Sequence, residues 1–91
     1  MVKKRNRIEI IHEILKIVKE NKNSIRPTPL LRHSNLSSER FSEYLQELLS
    51  KEFLKEIKEG DKNKYYTLSD KGFKFLEKYE AINSFIRDFD L

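Results

Sequence analysis

Four polar side chains lie in the exposed first turns of an amphipathic segment: Ser38, Arg40, Ser42 and Gln46. Arginine pairs with guanine or with a phosphate, glutamine pairs with adenine, and serine hydrogen-bonds to phosphates or to base edges. These residue types therefore support recognition of a nucleic acid by hydrogen bonds, without any covalent step.

Residues suited to catalysis or metal binding are scarce. The chain has no cysteine and two histidines, which excludes a Cys/His zinc site. His12 and His33 are both predicted on exposed helix faces, without a nucleophile that they would activate. The only glycines are Gly60 and Gly72, so there is no glycine-rich loop to hold a phosphate. We expect no enzymatic activity, no cofactor, no metal site and no small-molecule substrate.

The helix that carries the polar residues is predicted over residues 38–52. Ser37 is a good N-cap, and Glu39 in the first turn suits the helix dipole. A tight turn separates this helix from a short one over residues 29–34, which Thr28 would cap with Pro29 at its first position. Two helices joined in this way form a helix-turn-helix, whose second helix reads the major groove of DNA.

The remaining elements complete a larger pattern. Apolar residues at helical spacing predict a first helix from Ile8 that ends near residues 21–23. Strands are predicted at 54–58 and 64–68 around a charged tip. Ser69 caps a last helix over residues 70–87. This order predicts an α+β, mainly α fold, a winged helix-turn-helix of three helices and a two-stranded wing with a C-terminal dimerisation helix.

We expect one structural domain overall. Residues 1–69 would form the winged helix-turn-helix domain with a basic N-terminal arm, and residues 70–91 would form the C-terminal helix. No stretch of apolar residues is long enough to span a membrane.

Positive charge is concentrated near the amino terminus. The net charge is +4, and residues 1–36 hold nine Lys/Arg against three Asp/Glu. Such a balance indicates either a polyanionic partner or a solvated lysine-rich surface. Further DNA contacts are predicted in the arm, in the helix and turn before the reading helix, and in the wing: Lys3, Lys4, Arg5, Arg7, Arg32, His33, Asn35, Lys62 and Lys64.

A narrow apolar stripe runs along the last helix, with spacings of four and three residues. Its members are Phe75, Tyr79, Ile82, Ile86 and Phe89. This heptad-like pattern predicts a dimer interface. The alternative is that the whole helix folds back on its own domain.

One feature argues against strong DNA binding. Glu39, Glu43 and Glu47 recur every four residues along the reading helix, where carboxylates repel phosphates. The alternative function is therefore a winged-helix protein–protein interaction module in a larger assembly, with this acidic stripe facing a basic partner.

The run from Tyr66 to Gly72, Tyr-x-Leu-Ser-x-Lys-Gly, enters a helix that carries further aromatic residues. Together with Asn35-Leu36-Ser37 and the apolar face of the reading helix, it resembles the small archaeal winged helix-turn-helix DNA-binding proteins of the chromatin or regulator type. The resemblance covers about residues 5–82. It implies a transcriptional regulator that forms a homodimer through the helix after the wing, with a cytoplasmic, nucleoid-associated location. This dimer would bind double-stranded DNA through the helix at 38–52 and the wing at 58–64.

Overall fold

The computed structural model describes residues 5–91 and has four helices and one hairpin. The elements are α1 (Arg7–Glu20), α2 (Pro27–Ser34), α3 (Ser38–Ser50), β1 (Leu54–Glu59), β2 (Asn63–Leu68) and α4 (Asp70–Asp88). The strands pair antiparallel, with Leu54 opposite Leu68 and Glu59 opposite Asn63. The predicted mainly helical α+β fold with a two-stranded wing and a C-terminal helix is confirmed. Within residues 5–91, no helix is long and apolar enough to cross a bilayer.

Short polar side chains fix where the helices begin. The Ser37 hydroxyl accepts the Arg40 N–H at 3.2 Å, and the Ser69 hydroxyl accepts the Gly72 N–H at 3.1 Å. Both predicted N-caps are thus confirmed. Asn6 caps α1 and forms a reciprocal capping box with Glu9, which the sequence analysis missed.

The start of α2 differs from the prediction. The helix begins at Pro27, with Arg26 as its N-cap residue and no side-chain cap, so Thr28 lies inside the first turn. Proline at the first helical position has no N–H to satisfy and its backbone is already set for a helix. Two prolines in the first turn therefore make the threonine cap unnecessary.

The core lies where α1 crosses the other elements. Ile14, Leu15 and Val18 are almost fully buried, and they belong to one cluster with Leu30 and Leu48. Burying an aliphatic side chain of this size contributes roughly 1.5–3 kcal/mol. The predicted apolar face of α1 therefore holds the helix-turn-helix and the wing together.

The segment before α2 is joined to the wing by a single antiparallel β-bridge. The Ile25 N–H donates to the Tyr66 carbonyl at 3.2 Å, and the Tyr66 N–H donates to the Ile25 carbonyl at 2.8 Å. The Asn23 side-chain oxygen accepts the Leu68 N–H at 2.7 Å. The sequence gives no sign of this pairing, because it joins residues far apart in the chain.

His12 does not lie on an exposed face, and that prediction is wrong. Its ring stacks on Tyr79 of α4 with centroids 4.1 Å apart. Its Nε2 is shielded from solvent and has no hydrogen-bond partner among residues 5–91. The polar side of α1 is thus partly covered, because α4 folds back over it.

The free energy of unfolding should depend on the protonation of His12. Burial lowers the pKa of His12 below 6.5; Glu80 and Glu13 oppose this shift, and Lys16 adds to it. The unfolded chain therefore takes up a proton here before the folded chain does. Stability is greatest above the unfolded pKa and falls as the pH drops through 6.5 towards the folded value. Urea unfolding at about pH 7.5 and about pH 5.5 measures the effect.

A matched pair of variants isolates this contribution. His12→Phe keeps an aromatic ring over Tyr79 and removes the titration, so its stability should change less with pH than that of the wild type. His33→Gln removes an exposed histidine and should keep the wild-type pH dependence. Equal pH dependence in wild type and His12→Phe would contradict the assignment.

Gly72 is required at the start of α4 because the backbone before β1 passes against it. A Cβ at this position would lie closer to the Phe53 carbonyl oxygen than real Cβ atoms come, and 3.2 Å from Leu68 Cδ2. We expect Gly72→Ala to lower the free energy of unfolding by roughly 1–3 kcal/mol. Glu77→Ala, at an exposed position of the same helix, should change it by no more than about 0.5 kcal/mol. Equal urea midpoints for the two variants would contradict the close contact.

Candidate nucleic-acid interface

The turn between α2 and α3 is built from three small polar residues. The buried Ser34 hydroxyl donates to the Leu31 carbonyl at 2.7 Å and accepts the Leu36 N–H at 3.3 Å. Asn35 adopts a left-handed conformation with φ 58°, which asparagine tolerates better than most residues. Ser37 then caps α3. These contacts fix the orientation of α3 relative to α2.

α3 is anchored on one side and open on the other. Phe41 and Leu48 are buried in the core. The four predicted contacts of this helix are all exposed: Ser38, Arg40, Ser42 and Gln46. The four side chains are thus accessible on one helix, which Phe41 and Leu48 anchor in the core.

Two basic residues at the end of α2 precede the start of this helix in the chain. Arg32 and His33 are exposed in the last turn of α2, and Asn35 is exposed in the turn. All three lie next in the chain to the α3 N-terminus. A backbone phosphate bound at that N-terminus would meet the positive end of the helix dipole as well as these side chains.

The two wing lysines that are predicted to contact DNA differ in their surroundings. Lys62 lies at the exposed tip, after Gly60 has turned the chain with φ +73°. The Lys64 ammonium lies 3.2 Å from the Glu56 carboxylate on the facing strand. The hydrogen bond with Glu56 raises the pKa of Lys64, and both Tyr66 and the Glu56 charge add to this. Lys62 is therefore the more available of the two for a new anion.

The basic arm is only partly described. Lys3 and Lys4 lie outside the described residues. Arg5 forms an ion pair with Glu13 of α1, and Arg7 forms one with Glu47 of α3. Local sequence patterns give no sign of the second pair, since Arg7 and Glu47 are forty residues apart. The role of this arm in binding DNA stays a prediction.

The three carboxylates of the acidic stripe on α3 differ in their ion pairing. Glu47 is held between Arg7 and Lys51, whose ammonium is 2.7 Å from its carboxylate. Glu39 and Glu43 are exposed and form no salt bridge within residues 5–91. Repulsion of phosphates is thus strongest at the first two positions of the stripe and partly offset at the third.

The predicted dimer stripe on α4 is divided. Phe75 contacts Phe53 edge-on with ring centroids 5.6 Å apart, and Tyr79 stacks on His12. Beyond them the helix leaves the domain, and Ile82, Ile86 and Phe89 are 59%, 37% and 64% exposed. The first two residues of the stripe therefore pack on their own domain, and the last three are exposed to solvent. Dimerisation through this stripe stays a prediction.

Comparison with known proteins decides the family. The sequence model described as "Winged helix-turn-helix" matches residues 4–87, nearly the whole chain. The protein belongs to the winged helix-turn-helix family. Among solved structures, this winged helix-turn-helix protein is similar to Sso10a-2, a DNA-binding protein from Sulfolobus solfataricus, with 20% identity and a TM-score of 0.74. The match covers 93% of this chain and 85% of Sso10a-2.

At this level of identity the match to Sso10a-2 shows a shared fold. The resemblance to small archaeal winged-helix proteins that the sequence indicated is confirmed in these terms. No curated protein matches the chain. Within residues 5–91, no group of three or more His, Asp or Glu side chains is placed to hold a metal ion.

Proposed function

We propose that this winged helix-turn-helix protein binds double-stranded DNA as a homodimer and acts as a transcriptional regulator, associated with the nucleoid in the cytoplasm. α3 enters the major groove, which is wide enough to admit one helix. The wing tip contacts the flanking minor groove or phosphates. No catalytic step is involved.

The observation that carries this proposal is the exposed polar face of α3 on a buried apolar base. Ser38, Arg40, Ser42 and Gln46 are accessible, while Phe41 and Leu48 hold the helix in place. Arg32 of α2 and Lys62 at the wing tip are exposed cations in the neighbouring elements. A helix that projects hydrogen-bonding side chains, with cations in the elements next to it, fits a groove bordered by phosphates. The DNA-binding role of Sso10a-2, which shares the fold, supports the same conclusion.

The exposed end of α4 supports a dimer. Ile82, Ile86 and Phe89 leave an apolar surface that a second copy would remove from water. Two copies would present two reading helices. If both faced one side of the duplex, the half-sites would lie one helical turn, about 34 Å, apart.

A second function is favoured by one observation only. Glu39 and Glu43 leave two open carboxylates on the first turns of α3, where a phosphate backbone would pass. A winged-helix module that binds a basic protein surface would use such a face directly.

Salt-dependent binding to a duplex separates the two functions. We expect the fluorescence anisotropy of a labelled random duplex to rise with protein concentration at low salt. The logarithm of the association constant should fall linearly with the logarithm of salt concentration, with a slope of about −0.9 for each phosphate contacted. The absence of binding to random and selected duplexes at low salt would contradict DNA binding and favour the protein-interaction module.

A further inference from the structure

A groove lies between α1, α3 and α4, on the side of the domain from which the end of α4 projects. It has a volume of about 240 Å³, and its apolar walls include Ile8, Phe53 and Phe75. Ile8 is 48% exposed although it belongs to the apolar face of α1. The groove is therefore an apolar surface that the other residues of 5–91 leave uncovered.

Three cations surround this groove. Arg7, Lys51 and Lys71 line it together with a single carboxylate, that of Glu47. The Lys71 ammonium donates to the Lys51 carbonyl at 2.8 Å and lies 4.5 Å from the centre of the Phe53 ring. Each of the three cations has more N–H donors than the contacts described here use. The groove thus suits an apolar side chain flanked by carboxylates.

Residues 88–91 have this composition. Asp88, Phe89, Asp90 and Leu91 alternate carboxylates with apolar side chains. Phe89 is 64% exposed and Leu91 is 83% exposed. Neither aspartate forms a salt bridge within residues 5–91. We call these four residues the tail segment.

The tail segment does not reach the groove of its own chain. Phe75 borders the groove, and the helix between Phe75 and Phe89 rises about 21 Å at 1.5 Å per residue. α4 is continuous over this distance. A tail segment in this groove would therefore have to come from a second copy.

The charges on α4 favour an antiparallel arrangement of the two α4 helices. That arrangement would bring the tail segment of one copy to the groove of the other. At 100° per residue, Lys74, Lys78 and Asp88 lie on the same flank of the apolar stripe. In a parallel pair this flank of one helix would face the opposite flank of the other, so these charges would not meet. In an antiparallel pair centred on Ile82, Asp88 of one helix lies level with the gap between Lys74 and Lys78 of the other. The same register brings Phe89 level with Phe75 of the second copy, at the border of the groove.

We propose that the groove between α1, α3 and α4 binds the tail segment of a second copy, with Phe89 between the apolar walls, Asp88 level with Lys74 and Lys78, and Asp90 beside Lys51 and Lys71. The inference rests on the dimer proposed above. It gives that dimer a second contact besides the α4 stripe. Because Lys51 and Glu47 belong to the end of α3, the docked tail segment would also brace the reading helix.

Two charge-reversal variants test this docking by sedimentation equilibrium. The groove variant carries Lys51→Glu and Lys71→Glu, and the tail variant carries Asp90→Lys. Each alone places like charges together at both ends of the dimer, so its dimer dissociation constant should rise about tenfold or more. In an equimolar mixture both ends regain opposite charges. The mixed dimer should then form with a dissociation constant close to that of the wild type.

Unchanged dimerisation of both variants would overturn the proposal, because the dimer would then depend on the stripe alone. A monomeric wild type would overturn it as well. If circular dichroism shows that a charge variant is unfolded, the double variant Ile8→Cys/Asp90→Cys replaces it, since the chain has no native cysteine. Mild oxidation should link this variant into covalent dimers faster than either single-cysteine variant; equal rates would reject the docking.

Duplex binding is measured separately, by anisotropy at low salt. Neither charge variant alters a residue assigned to DNA contact. Wild-type protein that dimerises in the predicted manner without binding a duplex would reject the DNA-binding function and leave the docking intact.

Discussion

Replacing Arg40 with alanine is expected to weaken duplex binding by roughly 1–3 kcal/mol and to relax the preference for the selected sequence. Arg40 is the one exposed cation in the first turns of α3, and its backbone N–H is held by the Ser37 cap. A guanidinium there is placed to pair with guanine or with a phosphate. Anisotropy titrations with a selected duplex and a scrambled duplex measure both effects.

Arg87→Ala is the matched control for this variant. Arg87 is an exposed arginine in the last turn of α4, outside every predicted DNA contact. Its removal takes away the same net charge, so it should change binding only slightly and equally for both duplexes. If Arg40→Ala and Arg87→Ala bind both duplexes alike, α3 is not the reading helix.

Replacing Ile82 with glutamate is expected to convert the dimer into a monomer and to lower the affinity for a two-half-site duplex about a hundredfold or more. Ile82 lies in the middle of the exposed stripe on α4 and is 59% exposed in the single chain. In a dimer its side chain would be buried, and an unpaired buried carboxylate is strongly unfavourable. Binding to a single half-site should stay close to that of the wild type, because each domain is intact.

Ala81→Glu provides the control, since it adds the same charge at the neighbouring exposed position beside the stripe. It should remain dimeric in sedimentation equilibrium and keep the wild-type affinity for both duplexes. A dimeric Ile82→Glu variant would show that the interface lies elsewhere. A monomeric one with unchanged affinity for the two-half-site duplex would show that the dimer is not the DNA-binding form.

Local features of this chain were predictable because their causes are local. Ser37 and Ser69 cap helices through contacts with residues three positions away. The strand boundaries near 54 and 68 follow from residue preferences and from the turn at Gly60. The same reasoning failed for Thr28, where two prolines close together offered two possible helix starts and the first one was used.

Contacts between distant residues were not predictable from periodicity. A helical wheel places His12 on the polar side of α1 but says nothing of Tyr79, which covers it. The repeat of Glu39, Glu43 and Glu47 suggests three equivalent carboxylates. The fold makes them unequal, because Arg7 from another helix reaches only Glu47. The charge distribution at the candidate interface therefore depends on tertiary contacts that cannot be read from the amino-acid composition.

The short segment before α2 has a consequence for how much DNA one protomer covers. Asn23 and Ile25 are hydrogen-bonded to the base of the wing, and Arg26 lies 3.7 Å from Glu59 near its tip. The same segment leads directly into the helix-turn-helix. These few residues thus help to fix the separation between the wing tip and α3. If both bind the duplex as proposed, insertion of one residue here would change the footprint without altering any side chain that touches DNA.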